Sequence, residues 1–149
     1  MVETAKIQTL MEELGPASDD VTGVAQSAEN FWAVDYDDAG IVTLELDADG
    51  GKLLLSTDLG QPDDDRRLDV YTACLTFNYL WSETGGVAMA LADGELIQMY
   101  ALDATDLSLS KLRTVLGNFL EKARIFKAFV AGTGNVPAAG SPEFEMMRI

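Results

Sequence analysis

The spacing of apolar and polar positions changes along the chain, and each change marks an element. Ile7, Leu10, Met11 and Leu14 recur at the i, i+3, i+4, i+7 spacing of one helical face, and Gly15-Pro16 predicts the end of that helix. Residues 17–30 are small and polar without a period, and read as a loop. A β region follows. Phe31–Tyr36 predicts a short strand, with turn chemistry in Asp37-Asp38-Ala39-Gly40. Ile41–Leu46 is rich in β-branched residues, Asp47–Gly51 is a hairpin turn, and Lys52–Thr57 is the return strand.

From Arg66 to Trp81 the pattern becomes helical. Leu68, Tyr71, Leu75 and Tyr79 form one line, and Val70, Cys74, Phe77 and Trp81 another. Together they cover more than half the helix circumference, wider than the stripe of an ordinary surface helix. The surplus predicts burial against a partner subunit. Gly85-Gly86 breaks the helix, and strands at 87–91 and 96–102 are joined by the tight turn Ala92-Asp93-Gly94-Glu95. A long helix is predicted from about Asp106, capped by Asp103 or Thr105. Its apolar line is Leu112, Leu116, Phe119, Ala123, Phe126 and Val130, with Lys111, Arg113, Lys122, Arg124 and Lys127 on the other faces.

From Gly132 the chain is rich in Gly, Pro, Ala and Ser, which predicts a disordered tail. Within it Gly140-Ser141-Pro142-Glu143-Phe144 reads as a cloning linker, so residues 140–149 carry no functional weight. The expected architecture is one α+β domain over residues 1–131, an antiparallel twisted sheet flanked by helices in the order α-β-β-β-α-β-β-α.

Several strands are apolar on both sides. Leu53 and Leu55 point one way and Leu54 the other; Ile97 and Met99 alternate with Leu96, Tyr100 and Leu102. One face must meet the long helix. The other is either covered by the first helix or left as an apolar groove or edge for an extended peptide. Alternation leaves both open.

Length and composition fit this picture. With 149 residues, 48% of them apolar, the chain has room for one core. No apolar run reaches the length of a membrane span. The opening Met1–Lys6 is neither basic nor followed by a long apolar stretch, so no secretory signal is expected and a cytoplasmic protein is. The single Cys74 builds no disulfide framework. The net charge is −15, with sixteen acids against two bases up to Asp65, which argues against nucleic acid as a partner. That charge serves solubility or attracts a basic segment, and charge alone does not separate the two.

Catalytic chemistry is sparse. There is no His, which removes the commonest general base and every Ser-His or Cys-His pair. Cys74 falls on an apolar helical face, the place of a core thiol. Counted as a calcium loop from Asp47, position 6 is Lys52 and position 12 is Asp58; from Asp35, position 12 is Leu46. Neither meets the ligand pattern. A hydrolase using paired carboxylates needs a substrate cleft that so small a sheet hardly provides. Thr84-Gly85-Gly86-Val87 leads into a strand, whereas phosphate loops lead into a helix. No enzyme, metal or cofactor is expected.

The stretch Leu75-Thr76-Phe77-Asn78-Tyr79-Leu80-Trp81-Ser82-Glu83-Thr84-Gly85-Gly86 resembles the helix end and Gly-Gly of class I type III secretion chaperones, the Tir-chaperone-like (CesT) family. Leu96–Leu102, Asp103 and the helix of Leu112, Leu116 and Phe119 follow the same plan, as do the strands at Gly40–Leu46 and Lys52–Leu55. The resemblance spans roughly residues 2–131. It implies a cytoplasmic bacterial homodimer, paired through the second helix and a neighbouring strand, with no cofactor. It further implies that the N-terminal segment of a secreted effector wraps the dimer in extended form and stays soluble and export-competent, with the export ATPase as a further partner and no membrane insertion. On this footing the dimer contact is expected at Leu68, Tyr71, Leu75, Phe77 and Tyr79. Effector binding is expected at Leu10, Leu14, Ile41, Thr43, Leu53 and Leu55. A second reading within the same fold is a regulatory protein that sequesters a transcriptional regulator.

Overall fold

A two-residue turn shows how local chemistry sets the register. Asp93 and Gly94 both take positive φ, 51° and 81°, as a type I′ hairpin requires, and Ala92 therefore pairs with Glu95. The computed structural model describes residues 1–134. The linker-like 140–149 and the tail from residue 135 lie outside the described residues.

The elements are α1 (Thr4–Ala17), β1 (Val21–Ala28), β2 (Phe31–Tyr36), β3 (Gly40–Asp47), β4 (Lys52–Gly60), α2 (Arg67–Tyr79), the single turn α3 (Trp81–Thr84), β5 (Ala88–Ala92), β6 (Glu95–Asp103) and α4 (Leu109–Val130). Six strands hydrogen-bond in the order β1-β2-β3-β4-β6-β5. The pairs β1–β2, β2–β3, β3–β4 and β5–β6 are antiparallel.

Four sequence expectations need correction. Residues 17–30 hold a strand, β1, because backbone pairing to β2 fixes Val21–Ala28 where side-chain period does not. The second helix breaks at Leu80, whose ψ of 31° leaves the helical region, so Trp81 falls out of line with Val70, Cys74 and Phe77. The long helix starts at Leu109 rather than Asp106, and its cap is Ser108, whose Oγ accepts the Lys111 N–H at 3.1 Å. Asp103 instead accepts the Thr105 N–H at 2.9 Å. Lys122, expected outside, is fully buried.

The chain forms two compact units. The first comprises Met1–Thr57 with Ala101–Leu116. Its inward side chains are apolar: Ile7, Leu10, Met11 and Leu14 from α1, Val42, Leu44 and Leu46 from β3, Leu53 and Leu55 from β4, and Leu112 and Leu116 from α4. The turn between β3 and β4 is held by Val2 N–H to the Ala48 carbonyl and Ala104 N–H to the Gly51 carbonyl, both 2.9 Å.

The second unit comprises Asp58–Tyr100 and the chain from Gly117. Val70, Cys74 and Phe77 of α2 pack with Met89, Ala123 and Phe126, and the Phe77 and Phe126 rings meet edge-on at 4.9 Å. Polar groups stitch this core. Gln98 donates to the Phe119 carbonyl at 2.9 Å, and Lys122 donates to the Thr84 carbonyl at 3.1 Å beneath the Phe77 ring. Arg66 closes the far end of α4 by donating to the Phe129 and Val130 carbonyls, which carry the negative end of the helix dipole.

Candidate functional site

Two surfaces are left chemically incomplete, one in each unit. In the first unit it is the β1 edge. The Leu46 N–H bonds the Asn30 carbonyl at 2.8 Å, which sets the alternation along β2. Even-numbered β2 residues then bond to β3, and odd-numbered ones to β1. Ala33 and Asp35 face Ala25 and Gly23 in this way. The intervening Val24 and Gln26 turn their backbone N–H and C=O outward, away from β2.

The Val24 and Gln26 side chains point to the same side as their β2 partners Val34 and Trp32, under α1. There they border a cavity of about 440 Å³, lined also by Gln8, Met11, Glu12, Gly15, Pro16 and Trp32. The floor is apolar, from Met11 and Trp32. The rim is polar, and Glu12 gives it negative charge. An open strand edge beside a pocket is the geometry for receiving an extended peptide: the backbone is paired and an alternate side chain is buried.

The second surface is the outer face of α2 and α3. Leu68, Leu75, Tyr79 and Trp81 are 78%, 69%, 83% and 69% exposed. Four large apolar side chains on one short helical stretch form the patch that a monomer in water rarely shows.

The expected site residues separate accordingly. For the dimer contact, Leu68, Leu75 and Tyr79 lie on the exposed face and Tyr71 is half-buried, but Phe77 turns inward and is only 4% exposed. Phe77 is a core residue and is withdrawn from that contact. Among the expected effector-binding residues, Leu10, Leu14, Leu53 and Leu55 are buried. They support the surface from within. Ile41 and Thr43 lie on the opposite side of the sheet, where the Thr43 and Ser56 hydroxyls share a hydrogen bond. The six are not brought together. The residues that line the cavity, Gln8, Met11, Glu12, Val24, Gln26 and Trp32, escaped sequence reasoning because β1 did. The available signal was Gln8 and Glu12, one turn apart at the margin of the first helix's apolar stripe.

Burial pushes the Cys74 thiol up to about 11, so it stays neutral and weakly nucleophilic. Burial, and then the Asp20 carboxylate, holds the Tyr36 phenol above its ordinary range. Burial likewise lowers Lys122 to about 8. Among the described residues no three His, Cys, Asp or Glu side chains gather as a metal site would require. Among them, too, no helix is long and apolar enough to cross a membrane.

Comparison with known proteins bears on the fold. No curated protein matches the chain. Solved structures do. A chain of the ExsC–ExsE complex superposes with a TM-score of 0.68 at 20% identity, covering 88% of this chain and 98% of that one. A chain of the HopA1–SchA chaperone–effector complex gives 0.64 at 17% identity, covering 83% and 94%. The Yersinia pestis type III secretion chaperone SycH, solved with a stable fragment of YscM2, gives 0.57 at 21% identity, covering 78% and 95%. Identities this low make the likeness one of fold. A family model, by contrast, matches residues 10–127, from within α1 almost to the end of α4. With that span matched and the six-stranded antiparallel sheet and helices in place, the chain belongs to the Tir chaperone protein (CesT) family.

Proposed function

We propose that the chain is a type III secretion chaperone that receives the N-terminal segment of an effector as an added strand on β1. The segment is held extended, soluble and ready for export, without covalent change and without a cofactor. The observation that carries this reading is the coincidence at Val24 and Gln26, whose backbone groups face outward while their side chains border the 440 Å³ cavity. One added strand would bond to both residues and place an apolar side chain over Met11 and Trp32. The excess of acids in the first half of the chain favours an effector segment carrying Lys or Arg beside its apolar residues.

We further propose that the protein works as a homodimer through the exposed face of Leu68, Leu75, Tyr79 and Trp81, with half-buried Tyr71 at its margin. A second copy is the occupant that a closed symmetric pair supplies, because the same patch serves both sides.

The test is Gln26→Pro, co-expressed with the effector that co-purifies from the native host. Proline removes an N–H that faces the edge and bonds to no partner strand, so the fold tolerates it. Recovery of the complex is expected to fall at least tenfold while the free variant stays folded. Undiminished recovery would place the effector elsewhere.

A further inference from the structure

The sheet order ends in two strands, β1 and β5, and they are treated differently. In β5 the Asp93-Gly94 turn makes Ala92 and Glu95 a bonded pair, so Ala90 and Ala88 also face β6. Met89 and Leu91 turn their backbone groups outward. An added strand would need both.

The first of these positions is already taken. Asn78, near the end of α2, donates from Nδ2 to the Met89 carbonyl at 2.8 Å, and its Oδ1 accepts the Met89 N–H at 2.7 Å. A carboxamide carries one donor and one acceptor in the arrangement of a backbone peptide, and here it fills the place of one residue of a seventh strand. Only Leu91 is left at that edge, and one residue does not hold a strand. Edge strands that are not blunted in some such way recruit other chains.

We propose that Asn78 is a specificity-determining residue: it closes the β5 edge to strand addition, so that an extended client adds at β1 alone. This rests on the reading of the protein as a strand-receiving chaperone. A side-chain amide on a neighbouring helix does the work that Lys, Pro or a bulge does at other sheet edges. It costs the sheet no register, because Met89 keeps its inward side chain in the core.

The probe is a soluble ten-residue peptide of alternating valine and lysine, added to the full chain and to Asn78→Ala and Asn78→Asp. Asn78→Asp still accepts the Met89 N–H but offers the carbonyl no donor. Peptide stoichiometry is read by native mass spectrometry, and amide exchange at Val24, Gln26, Met89 and Leu91 locates the peptide. The wild-type chain is expected to bind one peptide per protomer and to gain protection at Val24 and Gln26 only. Asn78→Ala is expected to bind two, or to form higher assemblies, with peptide-dependent protection at Met89 and Leu91. Asn78→Asp should fall between. Val70→Ala, in the same core, controls for simple loosening and should remain at one peptide.

If the wild type binds at β1 and Asn78→Ala behaves like it, the role of Asn78 is overturned and the chaperone reading stands. Protection of Leu91 in the wild type overturns it equally. If the wild type gains protection at neither edge, strand addition itself fails, and this inference with it.

Discussion

The two units of this chain handle exposed structure in opposite ways. The first buries a mostly apolar set of side chains, with Ser18 and Thr57 its buried polar exceptions, and leaves backbone unfinished, at Val24 and Gln26 of β1. The second closes its strand edge with Asn78, stitches its core with Lys122 and Gln98, and leaves side chains unfinished, at Leu68, Leu75, Tyr79 and Trp81. Unfinished backbone accepts almost any extended polypeptide, since every residue carries the same donor and acceptor. An unfinished apolar helix accepts only a surface of matching shape. The first suits a client that varies in sequence, and the second suits a fixed partner such as another copy.

The largest expected effect tests the apolar core of the first unit. Leu55→Asp buries a carboxylate among aliphatic side chains and should cost about 4 kcal/mol or more, seen as loss of the cooperative urea transition. A well-folded Leu55→Asp would mean that β4 presents this face to solvent, and the contrast between the units would dissolve.

Next comes the outer face of α2. Leu75→Glu should leave the protomer folded, because Leu75 is exposed, and weaken self-association about a hundredfold, near 3 kcal/mol. Light scattering should show the mass halve at micromolar concentration. Unchanged mass with full solubility would take the self-contact away from this face.

A smaller effect comes from the buried lysine. Lys122 is held down to about 8 in the folded chain against 10.5 in the ordinary side chain. Between those values the unfolded state binds the extra proton, so stability rises with pH from about 8 and is lowest below it, where folding must bury the cation. Cys74 works the other way, but only above its ordinary 9.0, because its thiol is raised to about 11. The window from pH 8 to 9 therefore isolates the lysine, with a gain of about 1 kcal/mol. Lys122→Met should abolish that rise in the urea midpoint.

Smallest of all is Ile41→Ser. Ile41 is 53% exposed on the outward side of β3, so its replacement should change stability by about 0.5 kcal/mol or less. Client affinity should also hold if the effector lies along β1. A marked loss of affinity would return the client to the outer face, and with it the original expectation for Ile41 and Thr43.

What was legible in the sequence follows the same division. The excess apolar width of residues 66–81 was visible because helical period exposes it, and three of the five expected contact residues lie on the exposed face. Phe77 was misplaced because the stripe is so wide that period does not tell its inner from its outer edge. Leu53, Leu54 and Leu55 defeat alternation for the same reason: both sides are leucine, and only packing decides. The β1 strand was hidden because Val21 and Val24 are its only large apolar residues, set three apart across a register shift that breaks the alternation, and backbone pairing leaves no mark in side-chain pattern. Lys122 was assigned to the surface by its charge, yet it sits three residues after Phe119 and four before Phe126, on the buried side of α4.

Amide exchange at Val24 and Gln26 tests the central claim most directly, measured on the purified chain with and without the N-terminal segment of its co-purifying effector. The account expects both amides to slow at least tenfold on binding, while those of Ala25 and Gly23, already bonded to β2, change little. A bound effector that leaves Val24 and Gln26 exchanging at their free rate would contradict it.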